Sequence, residues 1–181
     1  GKSTMVNLLQ GFYHPKSGSI LIDGIPTTQI NRKDLRKNIG AVSQDVVLFQ
    51  DTVRANVSYG KEGASEEELW KVLEAAQIAD YVKGLPRGLD TRIMGGDEGI
   101  SPSEGEAQRL AIARAILTDP SLVILDEATS SLDSKEEAKL QDAVRGLLRG
   151  RTAFIIAHRL STVRGCDLVV VMEQGRILEA G

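Results

Sequence analysis

Two places in the sequence combine residue types that can handle a phosphate group. The chain opens Gly1-Lys2-Ser3-Thr4, the last part of the phosphate-binding pattern G-x-x-x-x-G-K-[ST]. In that device loop amides and a helix N-terminus hold phosphate. The lysine reaches the outer phosphates and the adjacent hydroxyl binds Mg²⁺, which assigns those tasks to Lys2 and Ser3. Four residues also fit a helix start that carries a lysine by chance. The second place is Leu122-Val123-Ile124-Leu125-Asp126-Glu127, an apolar strand ending in two acids. A buried strand has no use for adjacent carboxylates unless something at its end needs them, and the carboxyl edge of an open α/β sheet is where ligands bind. Asp126 is placed to hold Mg²⁺ directly or through water, and Glu127 to orient and polarise an attacking water. The competing reading is an acidic cap on the next helix.

The elements around these residues follow from spacing. Residues 4–9 read as a helix ending near Gly11, 19–22 as a strand entering an Asp23-Gly24 turn, and 39–43 as a short strand. Ser65 with Glu68 forms a capping box, after which Leu69, Val72, Leu73 and Ala76 recur at helical spacing. A second helix is predicted over 105–117, stopped by Pro120. The apolar run 122–125 is of the kind found in parallel strands buried on both faces. Ser134 and Glu137 make another capping box, with Leu140, Ala143, Val144 and Leu147 as the apolar stripe. Strands are predicted over 153–157 and 168–172, the latter of a length that suits a buried strand, and Glu173-Gln174-Gly175-Arg176 as a turn to a last one. Alternating strands and helices mark an α/β fold with a parallel sheet. The α/β core covers 1–62 and 119–181, and a helical subdomain 63–118.

Taken together, the motifs resemble the ATP-binding cassette (ABC) family. Asp126-Glu127-Ala128-Thr129-Ser130-Ser131-Leu132-Asp133 looks like its Walker B and D-loop block. The segment from Ser103 to Ala115 looks like the signature and its helix, Ile155-Ile156-Ala157-His158-Arg159-Leu160-Ser161-Thr162 like the switch-histidine segment, and Ala41-Val42-Ser43-Gln44-Asp45 like the Q-loop. They occur in the family's order along the whole chain. The resemblance implies a P-loop NTPase (RecA-like) core that binds ATP with Mg²⁺. Gly1, Lys2, Ser3 and Thr4 belong to the phosphate loop, and Ser3, Gln44 and Asp126 to the metal site. Glu127 and His158 are the catalytic pair, His158 contacting the γ-phosphate. Ser103, Gly105 and Glu106 reach the ATP of a second nucleotide-binding domain across a head-to-tail dimer, and Asp133 crosses that interface. Residue by residue, plainer roles stay open: an N-cap serine at 103, a surface glutamine at 44, a strand-end histidine at 158, a helix cap at 133.

The sequence departs from the family pattern at Pro102, Glu104 and Glu106, where the signature usually has leucine, glycine and glutamine. Two extra carboxylates near an anion site weaken phosphate contact unless they point to solvent. The chain also opens inside the phosphate loop, so the expectation is weak ATP binding by the 181 residues alone. The stretch from Leu48 to Gly60, Gly95-Gly96-Asp97-Glu98-Gly99 and His158-Arg159-Leu160-Ser161-Thr162 are similar to the exporter branch. That resemblance implies transmembrane domains fused upstream, the cytoplasmic face of a membrane, and export of a substrate these residues do not specify. The rival is a soluble cassette ATPase acting on nucleic acid or ribosomes. A formal net charge of −3 counts against nucleic acid. Four basic residues in 32–37 read as a solvated helix face, Trp70 as a packed aromatic, and the lone Cys166 as a small core residue. No apolar run approaches the roughly 20 residues of a membrane span.

Overall fold

The structure is a computed structural model describing residues 1–43, 45–94, 99–126, 134–157 and 165–181. Gln44, Glu127, Asp133, His158 and the segment 95–98 therefore lie outside the described residues. The chain enters α1 (Lys2–Leu9), so Lys2 and Ser3 already belong to a helical turn. Gly11 ends it at φ 68°: Gly11 N–H donates to Leu8 O and Phe12 N–H to Asn7 O. This is the paired closure that needs a left-handed residue, hence glycine. Then come β1 (Leu21–Ile22) and β2 (Ile25–Pro26), shorter than predicted and joined by Asp23-Gly24, both at positive φ. The helix α2 (Arg32–Lys37) is capped by Asn31, and its basic side chains are exposed.

Four helices follow β3 (Ile39–Val42): α3 (Val53–Ser58), α4 (Glu66–Ala75), α5 (Ala79–Lys83) and α6 (Glu104–Leu117). The chain then returns through β4 (Leu122–Asp126), α7 (Ser134–Leu148) and β5 (Thr152–Ile156). Strands β3, β4 and β5 form one parallel sheet with β4 in the middle, Ile39 opposite Leu122 and Asp126 opposite Ile156. All three strands therefore finish at one edge.

Both faces of β4 are covered, which is why it reads as a continuous apolar run. Ile124 packs with Val6 of α1 and Ile156. Val123 and Leu125 turn the other way, into the large core built with Leu69, Leu73, Leu110, Ile112, Leu140 and Leu147. Each of these large side chains withdrawn from water contributes roughly 1.5–3 kcal/mol. Helix α6 packs against α3, α4, α7 and β3 together.

Two expectations change. The run 168–172 is not a buried strand: among the described residues β6 (Val170–Glu173) pairs with β7 (Arg176–Ala180) alone, in an antiparallel hairpin, and Leu168, Val170, Val171, Ile177 and Leu178 are exposed. A short apolar run states that a strand wants covering, and only a neighbouring layer can cover it. Cys166 is half-buried rather than a core residue. Helix α7 starts at Ser134, beside the predicted position of its cap. Trp70 is packed as expected, half-buried against the large core with its Nε1 donating to Glu66 Oε1 at 3.3 Å.

Gly40 sits in β3 under Pro120, and a Cβ built there lies 2.7 Å from the proline Cγ. Gly40→Ala is expected to cost about 1–3 kcal/mol, the usual range for overpacking, read as a lower midpoint in urea unfolding. At the start of α4, Ser65 Oγ accepts from Glu68 N while Ser65 N and Lys61 Nζ donate to the Glu68 carboxylate. Lys61 first and the Ser65 amide second hold that carboxyl down at about 2, against an ordinary 4.5. A carboxyl depressed by folding stabilises above its unfolded pKa and loses that contribution as pH falls toward the folded value. The advantage of the native chain over Glu68→Gln in urea unfolding is expected to shrink steadily from pH 4.5 downward.

Candidate nucleotide site

Helix α1 and strand β4 are oriented by contacts at both ends. Val6, midway along α1, lies on Ile124 and Ile156, with Leu9 and Ile39 beside them. At the far end Gln10 O accepts from Arg36 Nε at 3.3 Å, and a Cβ on Gly11 would meet Leu35 Cδ2 at 3.2 Å. Arg36 and Leu35 belong to α2, which leads into the start of β3. The tail of α1 is thus at the amino edge of the sheet, and a helix of eight residues, about 12 Å long, runs back along the strands. Its Lys2-Ser3-Thr4 end points to the carboxyl edge, where Asp126 ends β4.

Lys2 and Asp126 are half-buried, while Ser3 and Thr4 are exposed. Gly1 stands at the N-cap and has no side chain to spend on the first-turn amides. It also abuts the β6–β7 turn, where an added Cβ would be 3.4 Å from Gly175 Cα. A positive helix end and a strand-end carboxylate on one edge can take an anion and a cation together. Gln44 and His158 follow Val42 and Ile156 of the flanking strands by two residues each in the sequence.

The signature helix begins differently from an open anion site. Ser103 caps α6: its Oγ accepts from Glu106 N at 3.4 Å, and the Glu106 carboxylate accepts from Ser103 N at 2.7 Å. Glu106 also bonds the Tyr81 hydroxyl; burial first, then this carboxylate, pushes that phenol up to about 12. Gly105 is buried behind the first turn. The Glu106 N–H is thus engaged inside the chain, and a carboxylate covers the Ser103 N–H.

Two groups of polar residues that sequence reasoning left unassigned hold this helix. Arg109 is almost wholly buried and reaches Glu136 of α7 at 2.6 Å. Gln108 beside it is fully buried, and its amide atoms have no hydrogen-bond partner among the described residues. On another side of α6, the Arg114 guanidinium donates from Nε to Asn56 O at 2.7 Å, from Nη1 to Val47 O at 3.2 Å and from Nη2 to Asn56 Oδ1 at 3.2 Å. Burial lowers its pKa, and the facing Tyr59 acts the other way. A sequence signal existed: the helix has small or apolar residues on every side, so its polar residues had to be buried somewhere.

The ABC transporter family model matches residues 1–130. The whole chain is 52% identical to an ATP-dependent lipid A-core flippase of Ralstonia nicotianae, of which it covers 31%. It is 46% identical to ABC transporter B family member 21 of Arabidopsis thaliana, covering 14% of that protein. Among solved structures it superposes on a bacterial Atm1-family ABC exporter with ATP bound, with a TM-score of 0.89 and 43% identity, over the whole chain and 31% of the exporter. The chain thus spans about a third of the length of the flippase it matches. Likeness over every residue, the parallel sheet and the helix laid against its middle strand agree: the chain belongs to the ABC transporter family, as a nucleotide-binding domain with the P-loop NTPase fold.

Proposed function

We propose that this domain hydrolyses ATP and powers export through transmembrane domains joined to it, on the cytoplasmic face of a membrane. The observation that carries the reading is the antiparallel seating of α1 on β4, which turns Lys2 toward the edge where Asp126 ends its strand. The lysine meets the outer phosphates as a point charge, and the α1 amides complete the cradle with Gly1 and Thr4. Ser3 Oγ and Asp126 are hard oxygen donors, which suit Mg²⁺ held by one or two protein oxygens and phosphate; Gln44 joins them. Bound there, the ion neutralises phosphate charge. Glu127 orients and polarises the attacking water, and His158 supports the γ-phosphate.

Ser103, Gly105 and Glu106 serve the ATP of a second nucleotide-binding domain, with Asp133 crossing between the two. Closure on ATP and release after hydrolysis then drive the membrane helices. The core at 1–62 and 119–181 carries the nucleotide, and the helical part at 63–118 carries the signature. A face for the joined domains is supported by the segment after β3, within 1–62: Val47, Phe49 and Tyr59 are exposed, and the two rings stand 4.5 Å apart. The likeness to a flippase and to an exporter supports transport. No described helix is long and apolar enough to cross a membrane.

Glu127→Gln in the full-length protein is expected to keep ATP bound while steady-state phosphate release falls about a hundredfold or more. A near-normal rate removes Glu127 from its role. Lys2→Ala is expected to weaken ATP binding at least about tenfold in an equilibrium titration of the same protein.

A further inference from the structure

We infer that Arg114 is a positioning residue: it ties the loop after β3 to the signature helix, so that the seating of this loop sets the seating of Ser103. This inference rests on the proposed ATPase. Three hydrogen bonds from one guanidinium end on a single segment, at Val47 O, Asn56 O and Asn56 Oδ1. The segment is itself drawn into one piece by Asn56, which is wholly buried. Asn56 Nδ2 donates to Phe49 O at 2.9 Å and Thr52 O at 3.0 Å, while Oδ1 accepts from Phe49 N at 2.8 Å. The same guanidinium lies 5.5 Å from the Phe49 ring centre and 5.9 Å from that of Tyr59. A planar cation with fixed donors sets position and angle together, and its cation–π contacts add attraction in a partly desolvated place.

The geometry places this joint between two functional ends. On one side are the exposed Val47, Phe49 and Tyr59, available to a joined domain. On the other, α6 is a continuous 14-residue helix from Glu104 that carries the first-turn Ser103–Glu106 box and, eleven residues on from Ser103, Arg114. A helix of that length behaves as a rod about 20 Å long, so a displacement of the loop is delivered to Ser103 as a displacement of the rod. None of the three guanidinium bonds ends on α1 or β4, which carry Lys2 and Asp126. Loss of the joint therefore spares nucleotide capture and impairs the step that needs Ser103 in place.

The test uses the full-length transporter in lipid nanodiscs, with Arg114→Gln and Arg114→Lys measured beside the unmodified protein. Expected for Arg114→Gln are ATPγS affinity within about twofold of the original and a kcat about tenfold lower. Arg114→Lys keeps the charge but not the fork, and is expected to recover less than half of the lost kcat. Combining Arg114→Gln with Asn56→Ala is expected to cost little beyond Arg114→Gln alone, because both break one joint. Any of three results overturns the inference: an unchanged kcat, full recovery with lysine, or ATPγS affinity and kcat falling together. Failure of both single variants to reach the membrane assigns Arg114 to folding alone and overturns it too. Absence of ATPase in the unmodified protein counts against the proposed function, whereas an active protein indifferent to Arg114 counts against this inference only.

Discussion

Everything in this domain is arranged around the burial of one strand on both sides. With strands hydrogen-bonded along each edge, β4 has only its two faces left to cover. Ile124 needs a helix on one face, and Val123 and Leu125 need helices on the other. The first demand seats α1 and so decides where Lys2 goes. The second seats α6, and with it Ser103. Polar chemistry is excluded from the length of such a strand because an unpaired charge there is expensive. It is tolerated at the end, where water and ligand have access, and that is where Asp126 stands.

Helix α6 carries the opposite burden. It is packed against three helices and a strand, yet it keeps Gln108, Arg109 and Arg114 on its surface. An arginine in such a place must find acceptors or destabilise the fold. Arg109 finds the Glu136 carboxylate, and Arg114 finds main-chain carbonyls and two ring faces. The polar groups that cost most to bury are therefore also the ones that decide how α6 sits against α7 and α3. Specific polar joints inside an apolar packing restrict the arrangement more tightly than apolar contacts, since a displaced guanidinium loses bonds while a displaced leucine finds other neighbours.

The start of α6 shows how a departure from a family pattern is absorbed. Glutamate at position 106 makes a reciprocal cap with Ser103 and accepts from Tyr81. These bonds hold its carboxylate against the protein rather than in open solvent. The acid is favourable to the helix dipole there and unfavourable to a second anion arriving at the same end. Stability of the helix and affinity for an incoming phosphate thus compete for the same amides.

Local chemistry was legible because it is written in neighbours along the chain. The Ser65–Glu68 box, the Asp23-Gly24 turn, the stop at Pro120 and the doubly buried run 122–125 each depend on residues a few positions apart, and hydrogen-bond reach settles them. So was the order of the motifs, and with it the family. Burial of the run 168–172 and the packing of Cys166 were not legible in this way, because covering a face depends on what arrives from elsewhere. The same holds for Arg114: nothing within several residues reveals that its acceptors lie 58 and 67 positions away. Residue types and short spacings determined which chemistry this chain can perform; only the tertiary structure decided which helix faces which end of the sheet, since that follows from long-range contacts whose partners no local pattern names.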